Sequence, residues 1–181
     1  MPNSPFAAVR LTDGTVTLRP FRPDDADAVA AAMTDGEIAR WTATIPWPYE
    51  RADAERWIGT HDFRRHFGDG LDLAVTAGVD EPIGAIGIDV GEDGVGQVGY
   101  WIAAAHRNRG YARRALALIR DHALIALGLP ELRLLTIEGN VASERVAAAA
   151  GFEAVDVLTD HDLGGRRATV TLWVHRCQAP L

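Results

Sequence analysis

Residues 100–115 read YWIAAAHRNRGYARRA, and this stretch decides how the rest of the chain is interpreted. An apolar, strand-like run ends near Ala103, a basic loop follows, and an amphipathic helix begins after Gly110. The first amides of a helix have no internal acceptor, and they carry the positive end of the helix dipole. The sequence therefore predicts a strand, a loop and a helix, with free amides at the helix start that can donate to a ligand above the loop.

The charge of this loop indicates what it binds. Gly110 and Ala112 let a ligand come close to the backbone, because neither carries a long side chain. The net charge of the chain is −7, but this segment is basic. Its positive charges are those of Arg107, Arg109, Arg113 and Arg114. A basic loop at a helix start is a ready site for phosphate groups. The residues alone predict a diphosphate site.

The segments on either side of the loop predict a mixed α/β chain. Apolar side chains recur at helical spacing over residues 111–127, and Gly128 and Pro130 are typical of a helix end. Before the loop, alternating segments separated by glycine-rich turns predict an antiparallel meander over residues 71–76, 83–90 and 97–103. The remaining predicted strands are 15–19, 132–137, 152–158 and 167–174, and the remaining predicted helices are 23–34, 51–67 and 141–150.

These elements give the order βααβββαβαββ and predict one domain over residues 13–181. Residues 1–12 are expected to form a loose lead-in. Residues 41–48 contain two tryptophans and two prolines, so an irregular segment is expected there. The sequence shows neither an internal repeat nor a linker.

The composition excludes several classes of protein. All 18 basic residues are arginine, so the chain has neither the lysine of a P-loop nor that of a pyridoxal-phosphate enzyme. The two serines, Ser4 and Ser143, lie outside any Gly-x-Ser-x-Gly elbow, which argues against a serine hydrolase. Cys177 is the single cysteine and no His-Glu-x-x-His pair occurs, so no metal site is predicted. The negative charge argues against nucleic-acid binding.

The sequence also predicts where the protein works. No apolar run approaches the roughly 20 residues that span a bilayer, and the N-terminus lacks the apolar core of a signal peptide. One cysteine gives no indication of an oxidising compartment. We therefore expect a cytoplasmic protein without membrane contact, as a monomer or homodimer.

The loop resembles the signature of a known family. Arg107-x-x-Gly110-x-Ala112 matches the pattern Arg/Gln-x-x-Gly-x-Gly/Ala of the GNAT superfamily of N-acetyltransferases. Asn108 stands where glycine is common in that family. The resemblance extends over residues 15–174 and implies an acyl-CoA N-acyltransferase fold. That fold has a central, mostly antiparallel sheet with splayed middle strands, flanked by helices.

Further motifs resemble the RimJ/RimL branch of that superfamily. They are Gly99-Tyr100-Trp101 before the loop, and Asn140-x-x-Ser143 and Gly151-Phe152 after it. The resemblance implies that acetyl-CoA is the cosubstrate and that the amides of residues 109–112 bind its pyrophosphate. The pantetheine arm would pair with the strand end near Ile102 and Ala103. The implied cofactor-binding residues are Ile102, Ala103, Arg107, Asn108, Arg109, Gly110, Tyr111, Ala112, Arg113 and Asn140.

The implied reaction is direct attack of an amine on the acetyl thioester, which requires no nucleophilic side chain. A backbone amide near Ile102 or Ala103 would stabilise the oxyanion. Ser143 would supply a proton to the leaving thiolate, directly or through water. Glu138 is the first candidate for the base, because it lies at the end of a predicted strand two residues before Asn140. Gln97 stands where relatives often have an acid, and glutamine cannot act as a base.

A purely structural role would also explain the presence of two of the catalytic candidates, Asn140 and Glu138. Asn140 also suits the N-cap of the following helix, a role compatible with ligand binding. Glu138 can equally be a plain charge at a strand end.

The sequence does not identify the amine that accepts the acetyl group. The resemblance points to the N-terminal α-amine of a protein, and small-molecule amines are acetylated within the same branch. The acceptor side is expected to involve residues 37–67 and 156–165, where Trp41, Trp47 and Trp57 form either core or cleft wall. An acidic lining would favour a polycation; the candidates are Asp53, Glu55, Asp160 and Asp162.

Two features of the sequence suggest functions other than acetyl transfer. A non-catalytic acyl-CoA-binding or sensing module is consistent with the missing acid at Gln97. The run Gly94-Val95-Gly96-Gln97-Val98-Gly99 satisfies the Gly-x-Gly-x-x-Gly pattern of dinucleotide-binding proteins. That pattern requires a helix to follow it, whereas this run leads into a predicted strand, so we reject a nicotinamide site.

Overall fold

A computed structural model describes Phe6 and residues 9–42 and 45–176 of the chain. The strands are β1 (Leu11–Thr12), β2 (Thr17–Pro20), β3 (Gly70–Ala77), β4 (Val79–Val90), β5 (Gly96–Ile102), β6 (Glu131–Ile137), β7 (Glu153–Asp162) and β8 (Arg167–Arg176). The helices are α1 (Ala26–Met33), α2 (Gly36–Trp41), α3 (Arg51–Phe67), α4 (Tyr111–Asp121) and α5 (Val141–Ala149). Within these described residues, no helix has an apolar stretch that could cross a membrane. Cys177 lies outside them.

The strands form one eight-stranded sheet in the order β1-β2-β3-β4-β5-β6-β8-β7. Every neighbouring pair is antiparallel except β5 and β6, which are joined by α4 in the crossover that parallel strands require. The sheet is therefore mixed and mostly antiparallel, and the predicted fold class is confirmed. The predicted meander corresponds to β3, β4 and β5.

The parallel pair in the middle of the sheet is short. Strands β5 and β6 pair only from Gly96 and Leu132 to Val98 and Leu134. Beyond that point β5 continues to Ile102 along β4, while β6 continues along β8. The two strands therefore separate and leave a gap in the sheet, as the family resemblance implied.

Apolar residues cover both faces of the sheet, because side chains alternate along each strand. On one face, α4 and α5 pack over a core whose fully buried members include Leu71, Leu73, Ile86, Ile88, Leu116, Ile119, Leu132 and Leu134. On the other face, α1, α2 and α3 form a smaller core of Ala26, Val29, Met33, Ile38 and Ala54. The gap between β5 and β6 thus opens between two packed layers.

The structure corrects the predicted elements in three places. Helix α2 occupies residues where no helix was predicted, and it begins there because the Asp35 carboxylate accepts from the Glu37 amide and caps it. Strand β1 lies within the predicted lead-in and pairs with β2, and Phe6 is only 3% exposed in the core. The predicted helix 111–127 is α-helical only to Asp121, after which residues 122–126 form a π-turn. The division into a lead-in and one domain over 13–181 stays a prediction.

A buried histidine on α3 makes the fold sensitive to acid. His61 is 5% exposed, packs against Phe21 and Trp57, and has no hydrogen-bond partner for either ring nitrogen among the described residues. Burial lowers its pKa to about 4 from the ordinary value of 6.5. The unfolded chain therefore takes up a proton first as the pH falls.

We expect the free energy of unfolding to decrease by up to about 3 kcal/mol between pH 6.5 and pH 4 through His61 alone. His61→Phe should remove this part of the pH dependence and keep the aromatic packing. Urea unfolding of both proteins across this range measures the difference. Equal pH dependence in the two proteins would contradict the prediction.

Candidate functional site

The gap between β5 and β6 widens into a cleft of about 530 Å³ that extends to the basic loop. We call it the loop-side cleft. Its floor is formed by the separating strands, and its walls by the first turns of α4 and α5 together with α2. Its lining includes Trp41, Tyr100, Ile102, His106, Arg107, Asn108, Gly110, Tyr111, Ala112, Arg113, Leu135, Ile137, Asn140, Ser143 and Arg145. Most of the predicted cofactor-binding residues are therefore brought together.

The backbone of the loop adopts the conformation expected of an anion site. Asn108 and Gly110 both have left-handed backbones, with φ of 60° and 78°. Asparagine enters this region more readily than other non-glycine residues, so Asn108 can stand where relatives carry glycine. Arg114 donates its amide to the Gly110 carbonyl at 3.2 Å and so begins the helical hydrogen-bond pattern. The amides before it, at residues 111–113, have no intrahelical acceptor and lie at the positive end of α4.

The arginines of the loop differ in what they do. The Arg107 guanidinium donates to the Ile102 carbonyl at 2.9 Å and pairs with Asp35 at 2.6 Å. It therefore braces the loop against the end of β5 and the cap of α2, and its charge is already compensated. Arg109 is exposed and lies outside the cleft lining, as does Ala103. Arg114 pairs with Asp13 at 2.7 Å.

Two cations remain on the wall of the cleft. They are Arg113, which was predicted, and Arg145, which was not. Arg145 lies on α5 two residues after Ser143, and the packing of α5 against α4 brings it to the loop. A basic residue in the first turns of a helix gave no signal of this role in the sequence.

A tyrosine and a serine meet at the inner end of the loop-side cleft. The hydroxyl oxygens of Tyr100 on β5 and Ser143 on α5 are 2.7 Å apart. Burial raises the pKa of Tyr100 to about 12, so this phenol is protonated at neutral pH. From the sequence, Tyr100 was identified only as part of the motif Gly99-Tyr100-Trp101, so its place in the site was not predicted.

The N-cap of α5 positions Ser143. The Asn140 side-chain oxygen accepts from the Ser143 amide at 3.2 Å, so the capping role of Asn140 is confirmed. Asn140 also lines the cleft, where its side-chain NH₂ group is left for other partners. Capping and ligand binding are compatible at this residue.

Successive backbone amides of β5 point alternately toward β4 and toward the gap. The amide of Ile102 or Ala103 was predicted to stabilise an oxyanion, and that of Ala103 is not free for this role, because it donates to the Ile83 carbonyl at 2.9 Å. In an antiparallel ladder the next residue along the strand points the other way. The amides of Ile102 and Tyr100 therefore face away from β4 and toward the gap.

The predicted base lies away from this cleft. Glu138 is exposed in the turn after β6, where its amide donates to the Thr169 carbonyl at 2.9 Å. It does not line the loop-side cleft. Gln97 pairs with Asp89 across β4 and β5 and does not line this cleft either.

A second cleft of about 600 Å³ lies on the other side of β5, under α1 and α3. We call it the α3-side cleft, and it shares Thr42, Gly99, Tyr100 and Trp101 with the loop-side cleft. Asp53 lines it as predicted, but Glu55, Asp160 and Asp162 do not. Trp57 belongs to its wall, Trp41 to the other cleft, and Trp47 is 64% exposed.

Two carboxylates that sequence reasoning missed line the α3-side cleft. Asp72 on β3 and Asp89 on β4 both pair with Arg64 on α3. Burial raises the pKa of Asp72 despite that arginine. The only signal in the sequence was an acidic residue between the buried positions Leu71 and Leu73 of a strand.

The glycine-rich run at residues 94–99 continues directly into β5, which begins at Gly96. No helix opens on it, so the prediction that this run leads into a strand is confirmed. The basic loop that is predicted to bind phosphate lies at the other end of the same strand.

Comparison with known proteins agrees with this geometry. The sequence profile described as "Acetyltransferase (GNAT) domain" matches residues 15–153. Mycobacterium smegmatis RimJ, solved in complex with CoA-disulfide, is 23% identical with a TM-score of 0.81, over 94% of this chain and 86% of that one. A ribosomal-protein-S5-alanine acetyltransferase from Vibrio fischeri is 18% identical with a TM-score of 0.81, over 93% and 96%.

A third similar structure is the microcin C7 self-immunity acetyltransferase MccE, solved with acetyl-CoA and AMP. It is 17% identical with a TM-score of 0.79, over 92% of this chain and 94% of that one. No curated protein matches the sequence. At these identities the three structures establish the fold, whereas the profile covers most of the chain. The chain therefore belongs to the GNAT acetyltransferase family.

Proposed function

We propose that the protein transfers an acetyl group from acetyl-CoA to a primary amine. The observation that carries this proposal is the loop-side cleft, which joins the free amides at the start of α4 to the hydroxyl pair of Tyr100 and Ser143. One end suits a pyrophosphate and the other a thioester. RimJ and MccE, which share the fold, were solved with CoA-disulfide and with acetyl-CoA.

The loop would hold the cofactor through its backbone. The amides of residues 109–112 bind the pyrophosphate, and Arg113 and Arg145 on the cleft wall add positive charge. The pantetheine arm lies in the gap, beside the backbone amides of Tyr100 and Ile102, which lie beyond the paired part of β5 and β6. Arg107 contributes by fixing the loop against β5.

The reaction follows from the groups at the inner end of the cleft. The acceptor ammonium group first loses a proton to water or a carboxylate, which frees the lone pair of its nitrogen. The amine nitrogen then attacks the thioester carbonyl, and the amide of Tyr100 or Ile102 donates to the developing oxyanion. The carbon–sulfur bond then breaks, and the Tyr100 hydroxyl protonates the thiolate. The phenolate recovers a proton through Ser143 from solvent, and the amine loses its excess proton to water or a carboxylate.

The acceptor is part of the proposal. The relative named as a ribosomal-protein-S5-alanine acetyltransferase points to an amine of a protein. MccE, named for self-immunity to microcin C7 and solved with AMP, points to a small molecule. We propose a primary amine from either group. The expected location is the cytoplasm.

Thermal unfolding with and without acetyl-CoA tests cofactor binding. Ligand at 100 times its Kd adds about 2.7 kcal/mol to the free energy of unfolding. For a chain of this size we expect the midpoint to rise by about 5–10 °C. NAD is the control and should leave the midpoint unchanged. A rise with NAD and none with acetyl-CoA would overturn the proposal.

Thiol release separates the enzyme from the acyl-CoA sensor, the second candidate suggested by Gln97. Both bind acetyl-CoA, but only the enzyme releases CoA faster when an amine panel is added. Stabilisation without amine-dependent release across the panel would favour the sensor.

Replacing Tyr100 by phenylalanine tests the proton donor. The ring and its packing are kept while the hydroxyl and its proton are lost, so we expect kcat to fall by about 10–100-fold with little change in KM for acetyl-CoA. Ser143→Ala should have a smaller effect, because water can reach the phenol in its place. Unchanged kcat in Tyr100→Phe would show that the thiolate leaves without this proton.

A further inference from the structure

Where the α3-side cleft meets the loop-side cleft, two paired glycines leave the backbone of the sheet uncovered by side chains. We call this patch, formed by Gly87 and Gly99, the bare strip. Gly87 on β4 and Gly99 on β5 are paired across the strands and both line the α3-side cleft. A Cβ atom added at Gly99 would have no heavy atom within 4 Å, so the space above it is open. A molecule in the α3-side cleft can therefore lie against the backbone of β5, on the strand whose other edge faces the gap.

One carboxylate reaches over this strip. A Cβ atom added at Gly87 would lie 2.6 Å from Oδ1 of Asp72, so that oxygen leans across the glycine. The Asp72 side chain is 13% exposed, and its Oδ2 accepts from Arg64. Oδ1 is thus directed over the bare strip, while Oδ2 holds the carboxylate in place.

The charges around the cleft favour a cation. Asp53 pairs with Arg56, and Asp72 and Asp89 share Arg64. Three carboxylates therefore face two guanidinium groups. One negative charge remains uncompensated, which suits a single ammonium group better than a polycation.

The rest of the lining is apolar or aromatic. It includes Met33, Ile45, Pro46, Tyr49, Trp57 and Trp101. Such walls bind an apolar body through burial of its surface, and aromatic faces also attract a nearby ammonium group. The cleft volume of about 600 Å³ is in the range of small-molecule sites.

We propose that the α3-side cleft binds the acceptor and that Asp72 Oδ1 binds its ammonium group, so that the preferred substrate is a primary amine carried on an apolar or aromatic group. This inference rests on the proposed acetyl transfer and names the acceptor class for it. Polyamines are disfavoured, because their further charges find apolar walls.

A pair of acceptors of one shape tests the role of Asp72. 2-Phenylethylamine is a cation at neutral pH, whereas O-benzylhydroxylamine has nearly the same shape and is neutral. We expect Asp72→Asn to raise KM for 2-phenylethylamine by about 10–100-fold, the range of a hydrogen bond between charged groups, and to change that for O-benzylhydroxylamine by less than about threefold. Asp62→Asn is the control, because Asp62 is an exposed carboxylate on α3 that pairs with Arg65 and lies outside both cleft linings, so it should change neither KM. Equal effects of Asp72→Asn on both acceptors, or faster turnover of spermidine by the wild type, would overturn the inference.

Gly99→Val tests the location. The side chain fits the strand but fills the strip, so we expect KM for 2-phenylethylamine to rise at least tenfold. Gly59→Ala is the control, because Gly59 on α3 lies outside both linings and has open space around it. Unchanged kinetics in Gly99→Val would place the acceptor elsewhere.

Calorimetric titration with 2-phenylethylamine separates this inference from the proposed function. Binding by the wild type that is weakened in Asp72→Asn would support the site even if no acetyl group were transferred. Absence of binding in a protein that acetyl-CoA stabilises would overturn the inference and leave the proposed function standing.

Discussion

Gly110→Val is expected to abolish the stabilisation of this protein by acetyl-CoA. Gly110 has φ of 78°, where a β-branched residue is strained, and no heavy atom lies within 4 Å of the position its Cβ would take. The valine side chain would therefore occupy the open space over the loop, where the proposed pyrophosphate lies. Strain would also turn the amides of residues 110–112 away from it. Thermal unfolding with and without acetyl-CoA measures the loss.

Gly78→Val is the matched control for this experiment. Gly78 lies in the turn between β3 and β4 with φ of 77° and equally open surroundings. Both variants should lose about 1–2 kcal/mol of stability through backbone strain. Only Gly78→Val should keep the rise of about 5–10 °C with acetyl-CoA. A full rise in Gly110→Val would show that acetyl-CoA does not use the loop amides.

Arg19→Met is expected to decrease the free energy of unfolding by about 3–5 kcal/mol. Arg19 on β2 is 2% exposed and pairs with Asp25, which is 6% exposed, through two hydrogen bonds of 2.7 and 2.9 Å. It also donates to the side chain and the carbonyl of Asp80. Methionine fills the space but leaves the Asp25 carboxylate buried without its cation. Urea unfolding at pH 7 measures the change.

Arg22→Met is the control, because it removes an exposed partner of Asp80 and leaves the buried Arg19–Asp25 pair intact. Arg22 binds the same Asp80 at 2.6 Å, but its side chain is exposed, so its loss should change the free energy of unfolding by no more than about 1 kcal/mol. If both variants lose the same small amount, the Arg19–Asp25 pair does not hold β2 to the start of α1. Because these residues lie away from both clefts, the acetyl-CoA response of any folded variant should be unchanged.

Most of the elements and the basic loop before α4 could be predicted from the sequence, because both depend on local chemistry. Alternating and helical apolar spacing predicted β3 to β5 and the first part of α4, and Gly110 with its neighbouring arginines predicted the loop. Helix α2 was missed, since it is six residues long and depends on a cap by Asp35. The π-turn after Asp121 was missed for a similar reason, as apolar spacing does not distinguish it from an α-helix.

The sequence by itself determined the family resemblance, the helix start that suits an anion and the absence of a lysine-dependent mechanism. Only the tertiary structure brought Tyr100 to Ser143, 43 positions along the chain, and assigned Arg107 to brace the loop. It also left the amides of Tyr100 and Ile102, and not that of Ala103, facing the gap. The reason is strand register, since a shift of one residue along β5 exchanges the groups that face β4 for those that face the gap. The carboxylate of Asp72 reaches over Gly87 through the same pairing, which no local pattern encodes.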